Sequence, residues 1–482
     1  MIIDTILKNC GRDTNKAAIF YKDTVVSYGS LRAKIEEYIK IVGSLQVNEY
    51  EAVGLVYDNE PEFIFWILAL FKSENPAALI PVYFRQSEIE YHVKNLNLRY
   101  IVVQKKYKER YENMSVEKEG TDFVILRNKV SSEYRQMCNC NDRIIQFTSG
   151  SQGESKSVAR TEKACYSEII ALEKPFTALD GTEVFMPLSP LFHSYGLLGG
   201  TLFPLYHGLS VVLEDIRFPK YILSEIARRN VTHMFVTPFI YKMFCDVLQL
   251  NNETFDFSSV RRSFSAGGAI EMETVLRMKE LSGVDIYQNY GSTEAGTMAV
   301  GVNPLSEDNS MGEFLADAQK VLRPLEFIPE ENCGELLLKS DIIDFHYLYP
   351  EKLNQDKFYN ELFITGDVMK KVDGKMYYNG RSDGLINING LKVYANEVED
   401  IIKQMDEVEG ISAVGIQAGN DDILVAYVVV RKGAVLSENI IKQYCKNYMA
   451  DYKIPNKIIF LDELPKNSSG KILKKYLVRG EN

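Results

Sequence analysis

Thr148–Lys156 read TSGSQGESK: two glycines and four small hydroxyl residues closed by a lysine, directly after the apolar run IIQF (Ile144–Phe147). A run of that length suits a buried strand. Glycines let backbone N–H groups approach an anion closely, while hydroxyls and a lysine supply further donors, a combination suited to phosphate oxygens. A plain polar turn has the same composition, and the stretch alone does not separate the two. The loop is not of the Walker type, because only two residues separate Gly150 from Gly153 and Lys156 does not follow a glycine. No kinase-like G-x-G-x-x-G is present either. If the loop holds phosphate, it does so in another kind of nucleotide enzyme.

Strand-like and helix-like runs alternate around this loop from about residue 20 to 300. VGLVY, AALIPVY, YIVVQ, DRIIQF, VFMPL, LSVVLE, THMFVTP and VDIYQNY read as strands, with helical patterns at Tyr28–Leu45 and Pro61–Lys72. Such alternation predicts parallel sheets covered by helices. GELLLKS and KMYYNG look like a small antiparallel addition. Beyond residue 384 the pattern becomes compact α+β: a helix capped by Asn396 and running to about Met405, strands ISAVGIQAG and ILVAYVVVRKG, and a helix capped by Ser437 that ends near Tyr452. The expected organisation is a large domain over residues 1–380, a hinge at 381–384 within GRSDG, and a small α+β domain over 385–482.

The length of 482 residues leaves room for about three units of ordinary domain size. A net charge of −11 argues against a general nucleic-acid binder, which needs a basic surplus to neutralise phosphates. The seven scattered cysteines form no zinc pattern, and C-N-C at Cys138 and Cys140 has no second ligand pair nearby. Reduced thiols and a cytoplasmic location are expected. MIIDTILKNCGRD lacks the basic start and apolar run of a secretory signal. FIFWILALF (Phe63–Phe71) is too short to span a bilayer and reads as a buried helix.

Four further stretches have bland readings as turns or tails when taken singly: SAGGAI (Ser265–Ile270), NYGSTEAG (Asn289–Gly296), FITGD (Phe363–Asp367) and LPKNSSGK (Leu464–Lys471). In order, and with the opening loop and GRSDG, they resemble the adenylate-forming enzymes: acyl- and aryl-CoA ligases, peptide-synthetase adenylation domains and firefly luciferase. The resemblance spans roughly residues 20 to 475. It implies ATP-dependent activation of a carboxylic acid as an acyl-adenylate, followed by attack of a thiol, with ATP, Mg²⁺ and coenzyme A as the molecules bound.

By that resemblance, Thr148, Ser149, Gly150, Ser151, Gln152, Gly153 and Lys156 would wrap the departing phosphates. Glu294, helped by Thr148, would hold Mg²⁺. Ala266, Gly267, Gly268, Asn289, Tyr290, Gly291, Ser292 and Thr293 would bind the nucleotide, with Gly267, Gly268 and Tyr290 lining the adenine slot and Thr293 touching the α-phosphate. Asp367 would accept from the ribose hydroxyls, and Arg381 would reach the ribose or phosphates. Lys471 would bridge the carboxylate and the α-phosphate during attack, whereas without PKNSSG before it a solvated tail lysine would be the better reading. Asp383 takes the hinge position. Gln152 and Ser155 depart from the threonine and proline common there, and Asn387 and Asn389 from the lysines that some relatives carry.

SPLFHSYGLLGG (Ser189–Gly200) bears on the acid. Amino-acid-activating relatives place an aspartate where this chain has His193, so an α-ammonium would be unpaired and costly. His193 reads either as a residue beside the carboxylate and the thiol path or as a packed structural histidine. Tyr195, Phe239 and Met298 would line the acyl group, and Gly196, Gly199, Gly200, Gly267 and Gly268 would leave space for it, which suits a fatty or aromatic acid. The thiol stays open between coenzyme A and the phosphopantetheine arm of an acyl carrier protein, which Lys442, Lys446, Lys453 and Lys457 could receive. A non-catalytic nucleotide-binding homologue is the reading outside enzymes, and retention of Glu294, Asp367, Arg381 and Lys471 argues against it. No nucleic-acid partner and no transmembrane segment are expected.

Overall fold

The computed structural model describes all residues except 85, 112, 129–136, 150–154, 177–178, 251–254, 326–331, 383–384, 389–390, 419–420, 450, 467–469, 471 and 480–482. The fold is mixed α/β and packs as two units. One comprises Met1–Ser149, Ser155–Gln319 and Lys339–Phe358; the other is formed by Lys320–Leu338 and the chain from Tyr359 onward.

The first unit contains two large sheets. In one, the parallel strands Ala17–Tyr21, Ser210–Leu213, Val184–Leu188, His233–Val236, Arg262–Ser265 and Ile286–Ser292 lie side by side, with antiparallel strands at both ends. Period-two alternation sorts their side chains. Phe185, Val211, Phe235 and Phe264 enter one core, and Met186, Val212, Met234 and Val236 enter the other. Both faces are therefore apolar, which is why these strands read as continuous hydrophobic runs. The second sheet has a parallel centre, Tyr100–Gln104, Val53–Val56, Ala77–Leu79 and Asp142–Ser149. On the side of Asp142–Ser149 it continues antiparallel through Ser155–Thr161 and Phe345–Tyr349.

Helix Tyr28–Ser44 begins where the Ser27 hydroxyl accepts from the Ser30 N–H, and it buries Leu31, Ile35, Tyr38 and Val42 at helical spacing. FIFWILALF lies in helix Pro61–Lys72 with Phe63 through Phe71 all buried, as expected for a core helix. Among the described residues no helix is long and apolar enough to cross a membrane. The glycine-rich stretch after Ser194 forms a π-helical segment, Tyr195–Leu202, which no periodicity in the sequence announces.

The second unit carries a five-stranded sheet in which Cys333–Lys339 and Lys375–Arg381 flank Leu362–Val372 antiparallel. It also holds a three-stranded sheet built on Val408–Ala418 and Asp421–Val430. Two helix limits differ from expectation. Strand Leu391–Tyr394 runs straight into helix Ala395–Lys403, so Asn396 is a helical residue and not its cap. The Ser437 hydroxyl does cap a helix by accepting from the Ile440 N–H, but that helix stops at Lys446, before the poor helix former Asn447.

The Trp66 indole N–H donates to the Tyr57 hydroxyl at 3.0 Å inside the first core. Tyr57→Phe leaves that buried donor unpaired and should cost about 1–3 kcal/mol. The readout is the denaturation midpoint followed by the fluorescence of Trp66, the single tryptophan; an unmoved midpoint would refute the assigned bond.

Candidate active site

Four adjacent parallel strands, Val184–Leu188, His233–Val236, Arg262–Ser265 and Ile286–Ser292, end along one edge of the larger sheet. The first three lead directly into Ser189–His193, Thr237–Phe239 and Ala266–Gly268, and the last carries Asn289–Ser292 itself. The carboxyl edge of parallel strands is where α/β proteins place ligands. Two hydrogen bonds tie the second sheet to these segments. The Gln146 amide donates to the Phe192 carbonyl at 2.8 Å, and the Tyr347 hydroxyl donates to Glu294 Oε1 at 2.9 Å. Thr148 and Lys156 face each other across the strand pair that leads into the opening loop.

Several groups at this edge suit a nucleotide. Gly267 has φ +87°, a conformation that L side chains avoid, and a Cβ on Gly268 would meet nothing within 4 Å. Both residues are exposed and carry no side chain, so a planar ring could approach their backbone. Asn289 is 3% exposed, and its side-chain oxygen has no hydrogen-bond partner among the described residues. A buried acceptor of that kind fits an amino donor such as the exocyclic amine of adenine. Tyr290 is buried with its ring 6.3 Å from that of Phe314.

Glu294 is half-buried in the turn between antiparallel strands Ile286–Ser292 and Gly296–Pro304, with Thr293 beside it. Among the described residues no three His, Cys, Asp or Glu side chains cluster as metal ligands. A lone carboxylate fits Mg²⁺, which keeps waters and takes phosphate oxygens for most of its shell.

The acyl segment differs in detail from expectation. A Cβ on Gly196 would lie 2.6 Å from the Ser189 carbonyl oxygen, one on Gly199 2.6 Å from the Phe235 ring, and one on Gly200 2.6 Å from the Pro187 Cβ. These three glycines let the π-helical segment pack against the sheet, so the space beside them is filled by protein, whereas a Cβ on Gly267 or Gly268 would meet no clash. Tyr195 stitches two strand ends together, its hydroxyl donating to the Phe264 carbonyl at 2.9 Å and accepting from the Val236 N–H at 3.2 Å. Phe239 is 41% exposed, Met298 is buried, and His193 is half-buried.

In the second unit Asp367 and Arg381 are register partners on neighbouring strands and form an ion pair at 2.9 Å. Gly366 has φ +78°, and a Cβ there would stand 2.6 Å from an Arg381 terminal nitrogen, so the guanidinium lies across a glycine. Of the proposed carrier-binding lysines, Lys442 is paired with Glu438 and Lys453 with Glu397. Gly150, Ser151, Gln152, Gly153, Asp383 and Lys471 lie outside the described residues. Tyr347, the partner of Glu294, was not expected at the site; it lies outside every motif, and its strand joins the sheet at long range.

His233 begins the second of the four strands, stacked on Phe185 at 4.6 Å with its Nδ1 2.8 Å from the Thr232 hydroxyl. Burial, with Arg261 and Arg262 nearby, pushes its pKa down to about 3. An unfolded chain therefore takes up a proton near pH 6.5 that the folded chain refuses until about 3, so stability is full above 6.5 and is lost as pH falls below it. His233→Phe should flatten the acid-side fall in denaturation midpoint between pH 6.5 and 4; an unchanged slope would refute this.

Residues 7–347 match the AMP-binding enzyme family, and residues 397–471 match the AMP-binding enzyme C-terminal domain. The oxalate–CoA ligase of Arabidopsis thaliana is 25% identical over 91% of this chain and 90% of its own length. The long-chain-fatty-acid–CoA ligase of Salmonella typhimurium is 27% identical over 69% of this chain, a match that spans 60% of that relative. Among solved structures, the O-succinylbenzoate coenzyme A synthetase of Bacillus subtilis, in complex with ATP and magnesium ion, superposes with a TM-score of 0.80 at 21% identity. That superposition covers 98% of each chain.

Proposed function

We propose, from the premise that this chain belongs to the AMP-binding enzyme family, that it activates a carboxylic acid with ATP and passes the acyl group to the thiol of coenzyme A. The observation that carries this reading is the shared strand edge. There the open Gly267–Gly268 surface, the Asn289 oxygen that no described residue pairs and the Glu294 carboxylate belong to neighbouring strand ends. The ligase relatives, which match over most of this chain, support the same chemistry.

In this reading Gly267, Gly268, Asn289 and Tyr290 receive the base, and Thr293 contacts the α-phosphate. Thr148 to Gly153 and Lys156 hold the leaving pyrophosphate, and Ala266, Gly291 and Ser292 complete the nucleotide's surroundings. Glu294 and Thr148 would hold Mg²⁺, which when bound would supply charge neutralisation for the phosphates and the incoming carboxylate. Tyr347 fixes one Glu294 oxygen by donating to it, which orients the other. Asp367, held by Arg381, accepts from the ribose, and Lys471 donates to both the carboxylate oxygen and the α-phosphate as charge develops between them. His193 stands beside the acid, with Tyr195, Phe239 and Met298 around the acyl group. The GRSDG segment, with Asp383, allows residues 385–482 to turn between the two half-reactions.

Pyrophosphate exchange across a panel of carboxylic acids, followed by thioester formation with coenzyme A, a carrier protein or neither, tests the reading. Expected are acid-dependent exchange and thioester only with coenzyme A. Exchange with no acid in a broad panel would overturn the activity, and thioester on the carrier alone would replace the acceptor. Lys471→Ala should abolish exchange while leaving the denaturation midpoint unmoved; near-normal exchange would remove Lys471 from the mechanism.

Tyr347→Phe removes one hydrogen bond to a carboxylate, worth about 1.5–3 kcal/mol. Mn²⁺ binding in the presence of ATP, read by electron paramagnetic resonance, should weaken about tenfold or more. Unchanged Mn²⁺ affinity would refute the role given to Tyr347.

A further inference from the structure

Arg160 and Glu168 form an ion pair at 2.9 Å with both side chains fully enclosed by the first unit. Arg160 lies on strand Ser155–Thr161, four residues beyond Lys156, and Glu168 on helix Glu162–Ala171. The second Glu168 oxygen accepts from the Thr297 backbone N–H at 2.8 Å. Gly296 has φ +64°, and a Cβ there would fall 2.0 Å from Glu168 Oε2 and 2.7 Å from Arg160 Nη1. The turn that carries Glu294 is thus seated directly on the pair.

The pair also reaches the acyl segment. Arg160 Nη1 lies 3.5 Å from the Ser194 hydroxyl, Ser194 donates to the Gln146 side-chain oxygen, and Gln146 donates to the Phe192 carbonyl at 2.8 Å. His193 is flanked on both sides by this chain of contacts. Glu294 adds its own negative charge to the field at Arg160.

Stability does not account for the arrangement. Removing two charges from water offsets most of their attraction, and apolar replacements of similar volume are often as stable or more so. The Arg160 Nε and Nη2 donors are buried with no acceptor among the described residues, a further cost. What the pair does supply is fixed geometry between two segments that come from distant parts of the chain.

We propose that Arg160 and Glu168 are positioning residues that lock the Phe192–Ser194 segment to the Glu294 turn, holding His193 and Glu294 in one arrangement for acid activation. This role rests on the acid-activating function proposed for the chain. The double variant R160M/E168L removes both charges at similar volume. Its denaturation midpoint should equal or exceed the parent's. Its kcat for acid-dependent pyrophosphate exchange should fall about 100-fold, the scale of a 1 Å misplacement, with KM for ATP within about twofold.

A merely structural pair predicts that activity returns with stability, so exchange within about threefold of the parent would overturn the proposal. Should the double variant not fold, Ser194→Ala deletes one oxygen and cuts the link from Arg160 to Gln146. At an unchanged midpoint it should lower kcat about tenfold, the scale of one lost hydrogen bond, and unchanged kcat would overturn the proposal. If the parent itself shows no acid-dependent exchange, the activity fails; if the parent is active and the variants match it, only the positioning role fails.

Discussion

Parallel pairing of Val184–Leu188, His233–Val236, Arg262–Ser265 and Ile286–Ser292 is the constraint on which the site depends. Parallel hydrogen bonding gives every strand the same direction, so segments far apart in sequence must emerge at one edge. Each of the three returns from that edge runs through a helix or a longer connection to the far edge before the next strand begins. None of the site residues needs to be near another in sequence for this to work. The alternating cores made by Phe185, Phe235 and Phe264 on one face, and by Met186, Met234 and Val236 on the other, hold the register. A one-residue slip in any strand would exchange the two faces and move its loop with them.

The helix-covered parallel architecture was legible because the signal is local. Apolar runs such as VFMPL and THMFVTP stand between helical patterns, and the buried FIFWILALF helix needs only its own composition to be read. Ser437 as a cap was legible for the same reason: a hydroxyl in place before a helical period. Boundaries that rest on competition between neighbours were less so. Asn396 has the chemistry of a cap, but the strand before it leaves no turn in which to act as one.

The residues read as nucleotide-facing sit in compact motifs whose order carries information. The residues that support them do not, because their partners are remote. Tyr347 reaches Glu294 from a strand more than fifty positions away, and no pattern around FHYLY singles it out. Arg160 did leave a trace: an arginine within SVART, just after the apolar Val158 and Ala159, is either an edge residue or a buried charge. Only Glu168, on the next helix, decides between them. The glycines of the acyl segment show the opposite failure. Their smallness was visible, but whether it admits a ligand or a strand depends on what lies across from them, and Phe235 and Pro187 do.

Strand Phe345–Tyr349 pairs with Ser155–Thr161 although nearly two hundred residues separate them. During synthesis the earlier strand is finished long before its neighbour exists, and until then Ser155–Thr161 is itself the border of that sheet, with its outward backbone donors and acceptors uncovered. A ribosome-bound intermediate of this chain therefore carries an adhesive flank for an extended interval, available to other nascent copies. Refolding from high chain concentration should therefore lose more material to association than refolding from low concentration.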